Sequence, residues 1–140
     1  MALSKAEREQ FLAEPHIAAL SVDAGPDRGP LTVPMWYQYT PGGQAWIITG
    51  LNSRKHQLIE AAGRFTLMAQ RAEPTLRYVA VAGSVTGVAP ATAAQDREMA
   101  ARYLPADKVD AYLTAAASYG PQVVIQLAPE HWVSSDLGAL

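Results

Sequence analysis

The stretch WIITGLNSRKHQLIEAAGRFTLMAQ, residues 46–70, holds three elements in a row. WIITG is a short apolar, β-branched run that stops at Gly50, and RFTLMAQR, residues 64–71, is a second such run. Both read as strands. Between them SRKHQLIEAAG reads as a helix opening at Asn52 or Ser53, residue types that cap helix N-termini well. Its first turn carries Arg54 and Lys55. Cations are mildly unfavourable there, by roughly a few tenths of a kcal/mol each when exposed, because the helix dipole is positive at that end. The same end presents unpaired backbone N–H groups that bind anions. Two readings stand side by side. Either both side chains extend into water, or Ser53, Arg54, Lys55 and the free N–H groups share a phosphate, whose charge reverses the sign of the effect.

Outward from this segment the chain stays rich in strands. Residues 3–13 predict a short helix with Ser4 as N-cap and Glu7 three positions on, the spacing of a capping box. Residues 16–23, HIAALSVD, form an apolar run, and residues 24–30, AGPDRGP, form a turn. LTVPMWYQYT, residues 31–40, reads as one strand joined through PGG to QAWIITG, a hairpin. Pro34 has no N–H to give a ladder, which places it at an edge or bulge. After residues 64–71, AEPT turns the chain into a long strand over residues 76–88. Gly83 inside it marks a bulge, a bend or close approach of another backbone. Two Ala-rich helices follow, separated by Pro105 and polar enough for the surface, and then a last strand with an extension, PQVVIQLAPEHWVSS. The order is helix, three strands, helix, two strands, two helices, strand. Short antiparallel links around a helix predict a small antiparallel barrel with helices at its ends, an α+β arrangement that is mainly β.

Composition narrows the function. The 140 residues suit a single domain over 1–140 with a real core. A formal net charge of -2 argues against a general nucleic-acid binder. There is no cysteine, hence no disulfide or thiolate metal site, and no apolar run near the ~18 residues of a membrane span. A soluble, cytoplasmic protein is expected. His16, His56 and His131 lack metal-ligand spacing and read as surface or capping residues. Neither G-x-S-x-G nor a G-x-G-x-x-G or Walker loop is present. Of Trp36, Tyr37, Tyr39 and Trp46, alternation sends some to the core and leaves the others as candidates for a groove or subunit contact. Arg71 and Arg77 flank a turn, within reach of an anionic ligand or of salt bridges.

Taken together, HIAALSVD, the P-x-W of Pro34 and Trp36, the strand–S-x-K–helix–R-started strand of residues 46–70, and RYVAVAGSVTGV resemble the split β-barrel family. That family includes the FMN-binding pyridoxamine-phosphate oxidases and the deazaflavin-dependent reductases. The resemblance covers residues 16–88 and, more loosely, the final strand. It implies a split antiparallel barrel with peripheral helices and a homodimer with two sites at the subunit interface. Each site would take a flavin-type cofactor and a small-molecule substrate. Carried over by position, the backbone around Val33, Pro34, Met35 and Trp36 and around Ile48 and Thr49 would face the ring, and Ser53, Arg54 and Lys55 would hold its phosphate. Gln70, Arg71, Arg77 and Tyr78 would add contacts, some from the opposite subunit. The oxidases end in an Arg-rich motif for their substrate phosphate, whereas QLAPEHWVSSDLGAL contains no arginine. That departure favours the deazaflavin branch, so coenzyme F-420 is the first expectation and FMN the second. The implied activity is hydride transfer to a small organic acceptor, with water or Tyr78 as proton source. The alternative is a protein of the same fold that binds or carries a flavin, a deazaflavin or, through His16 and His131, a haem without turnover.

Overall fold

The computed structural model describes residues 1–139. Its elements in chain order are α1 (Lys5–Ala13), β1 (Ala18–Val22), β2 (Leu31–Met35), β3 (Gln38–Tyr39), β4 (Ala45–Gly50), α2 (Arg54–Ala62), β5 (Arg64–Arg71), β6 (Arg77–Pro90), α3 (Ala93–Tyr103), α4 (Ala106–Ala116), β7 (Gln122–Leu127) and β8 (His131–Asp136), with 3-10 turns after α4 and β8. All strand pairs are antiparallel, in the order β2-β1-β5-β6-β7-β4-β3, with β8 also on β6. β6 belongs to both halves: residues 77–84 pair with β5, and its far end pairs with β7 after a bulge between Val85 and Gly87. This is a split antiparallel barrel, mainly β, with four peripheral helices.

Two stretches expected as single strands are divided. LTVPMWYQYT breaks at Trp36–Tyr37, so that β2 pairs with β1 and only β3 pairs with β4. Tyr103 of α3 makes the break possible. Its hydroxyl accepts the Tyr37 N–H at 3.1 Å and lies 3.0 Å from the Tyr37 carbonyl and 2.8 Å from the His16 carbonyl. A side chain thereby replaces the missing ladder partners. Pro34 lies on β2, an edge strand, as its missing N–H requires. At the other end of the chain, β7 and β8 run along β6 and are interrupted at residues 128–130, where Pro129 has no N–H to continue the ladder. Ala128 and Glu130 still donate to the Ser84 and Ala82 carbonyls at 3.0 Å each. Their crossing explains Gly83: a Cβ there would overlap the Ala128 carbonyl.

Alternation decides the core. Ala18, Leu20 and Val22 of β1, Phe65, Leu67 and Ala69 of β5, and Val79 and Val81 of β6 point inward with Ile47, Ile125 and Leu127. α1 starts with the expected capping box and closes one end with Phe11 and Leu12. Its C-terminal carbonyls are held by Arg102 of α3, which donates to Ala13 and Glu14 at 2.8 Å each while its guanidinium sits 5.0 Å from the Tyr37 ring centre. A cation at a helix C-terminus is favourable by both dipole and hydrogen bonds. Arg102→Ala is therefore expected to cost about 2–3 kcal/mol of stability in urea unfolding, and Arg102→Lys to recover only part of it, since an ammonium lacks the fork.

Candidate functional site

The start of α2 is built from the backbone up. Ser53 caps the helix, its Oγ accepting the His56 N–H at 3.2 Å and lying 3.2 Å from the buried Thr49 Oγ1. Asn52 takes the left-handed conformation, φ 60°. His56 holds it there from inside, because its Nδ1 accepts the Asn52 N–H at 2.9 Å, which leaves Nε2 to donate to Glu60 at 3.0 Å. His56, expected at the surface or in a cap, is thus a cap that is 4% exposed. Above this frame the N–H groups of Arg54 and Lys55 find no acceptor among the described residues. Neither side chain has a carboxylate partner there either. Free donors and an unpaired cation, Lys55, share the first turn of α2, the composition an anion requires.

This spot borders a cleft of about 660 Å³ between the β4–β7 sheet and the α3–α4 hairpin. Thr49, Gly50, Lys55 and Gln122 contribute polar groups to its lining, with Asp96 and Arg97. Trp36, Met99, Ala100, Tyr112, Leu113 and Ala116 contribute apolar and aromatic ones. Trp36 stands at the corner left by the strand break, stacked on Tyr103 with centroids 4.9 Å apart and planes 9° from parallel, and 5.3 Å from Tyr112. Tyr37 and Tyr39 went to the core instead, and burial pushes the Tyr39 phenol up to about 12, helped by its hydrogen bond to Glu9.

The residues expected at a site fall into three groups. Pro34, Met35, Trp36, Ile48, Thr49 and Lys55 line the cleft, with Ser53 and Arg54 at the adjoining helix start. Val33 and Gln70 line a shallower hollow of about 300 Å³ on the β2-β1-β5 face, and Pro34 borders both cavities. Tyr78 is paired with Gln70 in the ladder and shares that outer face. Arg71 and Arg77 converge on Asp136, at 3.5 and 2.9 Å. Burial alone would raise the Asp136 carboxyl, but hydrogen bonds from Thr75, Arg77 and the Gly138 N–H, with the Arg77 charge, hold it below the usual range. His16 stacks on Phe11 and bonds Glu14, and none of the three histidines lines the cleft.

The α3–α4 wall was not anticipated, since both helices read as surface helices. Its signal was present in α3, where Asp96, Met99, Ala100 and Tyr103 recur at helical spacing, and in Tyr112 and Leu113 of α4. Among an alanine-rich background those residues mark a face, but only the folded chain shows what it faces.

No protein-family model matches the sequence, and no curated protein matches it. Solved structures do. A conserved hypothetical protein from Mycobacterium tuberculosis superposes with TM-score 0.74 at 20% identity, over 97% of this chain and 86% of that one. An F420 reductase superposes with TM-score 0.69 at 24% identity, over 89% and 94%. A FAD-binding protein from Mesorhizobium loti superposes with TM-score 0.60 at 14% identity, over 97% and 95%. The chain has the split-barrel fold that these proteins share. Among the described residues no helix is long and apolar enough to cross a membrane.

Proposed function

We propose that the chain is an oxidoreductase that uses coenzyme F-420, with FMN as the second choice, to reduce a small organic acceptor. The carrying observation is the unpaired Lys55 and the free N–H groups of Arg54 and Lys55 bordering a cleft that is also lined by the Trp36–Tyr112 pair. Ser53, Arg54 and Lys55 would hold the phosphate. The backbone of Pro34–Met35–Trp36 and of Ile48–Thr49 would flank the ring, and Trp36 would bound the acceptor side. The cleft falls within the roughly 300–1,000 Å³ typical of small-molecule sites. When bound, the reduced ring supplies hydride; the chain supplies orientation, charge and exclusion of water. The fold shared with an F420 reductase supports this choice.

Separate fluorescence titrations of F-420 and FMN test it. Tight F-420 binding is expected; if neither ligand binds below about 100 μM, roughly -5.5 kcal/mol, the reading is wrong. Binding without turnover on a broad acceptor panel would favour a carrier.

The same reading includes a homodimer. Pro34, Ala19, Met68, Ala80 and Val133 form one register row across β2, β1, β5, β6 and β8. Thr32, Ser21, Thr66, Ala82 and His131 make the next row, so two adjoining rows carry no carboxylate, lysine or arginine. Val133 is 60% exposed and Ile17 beside the row 53%. An uncharged, partly apolar sheet face suits a second copy. Gln70 and Tyr78 lie on it, which would bring them toward a site that they do not line within one chain. Ala80→Arg, between Met68 and Val133 in the row, is expected to turn a dimer into a monomer in light scattering; an unchanged mass would place the contact elsewhere.

A further inference from the structure

The cleft contains a carboxyl that the cofactor reading leaves without a task. Asp96, in the first turn of α3, is half-buried, lines the cleft, and its side chain has no hydrogen bond or ion pair among the described residues. The groups that line the cleft with it come from every surrounding element. Arg97 of α3 is drawn off by Asp110 of α4, 2.9 Å away. Lys55 of α2 lines the cleft without an ion pair to Asp96, and Gln122 of β7 is neutral. Tyr112 of α4 faces the same space, its phenol raised by burial and then by the charges of Tyr119 and Asp96. A helix's first turn favours a carboxylate, yet burial acts the other way and pushes Asp96 above its ordinary range.

We infer that Asp96, beside the Trp36–Tyr112 wall, is the proton donor to the acceptor reduced in this cleft. The inference rests on the proposed function and assigns a residue to its acid step. For an acceptor with a C=C bond conjugated to a carbonyl, hydride from the reduced flavin or deazaflavin bonds to the β carbon. The C=C electron pair moves onto the α carbon and carbonyl oxygen. The Asp96 O–H bond breaks, and its proton bonds to the α carbon. The acceptor gains two electrons, the ring loses two, and the Asp96 carboxylate regains a proton from water at the cleft mouth. A part-buried, unpaired carboxyl whose pKa burial raises, facing the space where the acceptor would lie, is suited to this role.

Two measurements decide it. In ligand-free protein, carbon NMR of labelled aspartate should show one carboxyl titrating above the ordinary value of about 3.9, and that signal should vanish in Asp96→Asn. With reduced F-420 and cyclohex-2-en-1-one, Asp96→Asn should bind cofactor within about 2-fold of wild type but turn over roughly 100-fold more slowly. The wild-type rate should fall as pH rises through the Asp96 titration, and the variant should lose that limb. An Asp96 carboxyl titrating in the ordinary range, or a variant as fast as wild type, overturns the assignment and leaves the cofactor reading standing. A wild type that binds cofactor and reduces no enone also overturns it, and one that binds no cofactor overturns both.

Discussion

Replacing Ser53 and Lys55 together with alanine should weaken binding of F-420 or FMN by about 1,000-fold, roughly 4 kcal/mol. A charge-assisted hydrogen bond from an ammonium to a phosphate contributes about 1.5–3 kcal/mol, and the serine hydroxyl about 1 more. The single variants separate binding from folding. Lys55→Ala removes a cation from a helix N-terminus, so the apo protein should keep its stability or gain a few tenths of a kcal/mol. Ser53→Ala leaves the His56 N–H, now 3.2 Å from Oγ, without its acceptor, and should cost about 1 kcal/mol in urea unfolding. Fluorescence titration of all three variants reads the affinities. Unchanged affinity in the double variant would mean that the phosphate sits elsewhere, even if the cofactor binds.

Gly83→Ala should be the most destabilising single methyl in the molecule, at about 3 kcal/mol or more. The added carbon overlaps the Ala128 carbonyl, a backbone atom with no rotamer to change. That carbonyl is fixed on both sides, since Ala128 and Glu130 donate to Ser84 and Ala82 at 3.0 Å each. Relief would require the crossing between β7 and β8 to lift off β6, breaking those bonds. Gly87→Ala is the control: its Cβ would meet the Gln126 side chain at 3.4 Å, an end that can swing away. A cost within about 1 kcal/mol is expected there. Equal losses for the two glycines in denaturant unfolding would show that close approach at Gly83 is not the cause.

Some of this was legible before folding. The capping box of Ser4 and Glu7, the Ser53 cap, the limits of β5 and the edge position of Pro34 all follow from residues within one turn or one strand. The grouping of Pro34, Trp36, Ile48, Thr49 and Lys55 came from the family resemblance instead, and the folded chain has these residues lining one cleft. Arg71 and Arg77 show the limit. Their charge left open an anionic ligand or salt bridges, and only the fold brings Asp136, about sixty positions along the chain, into ion pairs with both. The Trp36–Tyr37 break was equally hidden, because LTVPMWYQYT has the composition of an unbroken strand. Tyr103, a residue of a different helix, supplies the hydrogen bonds that let the strand change partners.

By itself the sequence determined the local elements, their caps and the alternation that turns one face of each strand inward, because these depend on the side-chain period and on neighbours a few residues apart. It also marked the unusual cations at the start of α2. Tertiary structure alone decided that β2 leaves β4 for β1, that Gly83 must clear the Ala128 carbonyl, and that the α3–α4 hairpin closes a cleft with Asp96 and Tyr112. Those outcomes depend on contacts between residues far apart in the chain, and short-range periodicity carries no record of them.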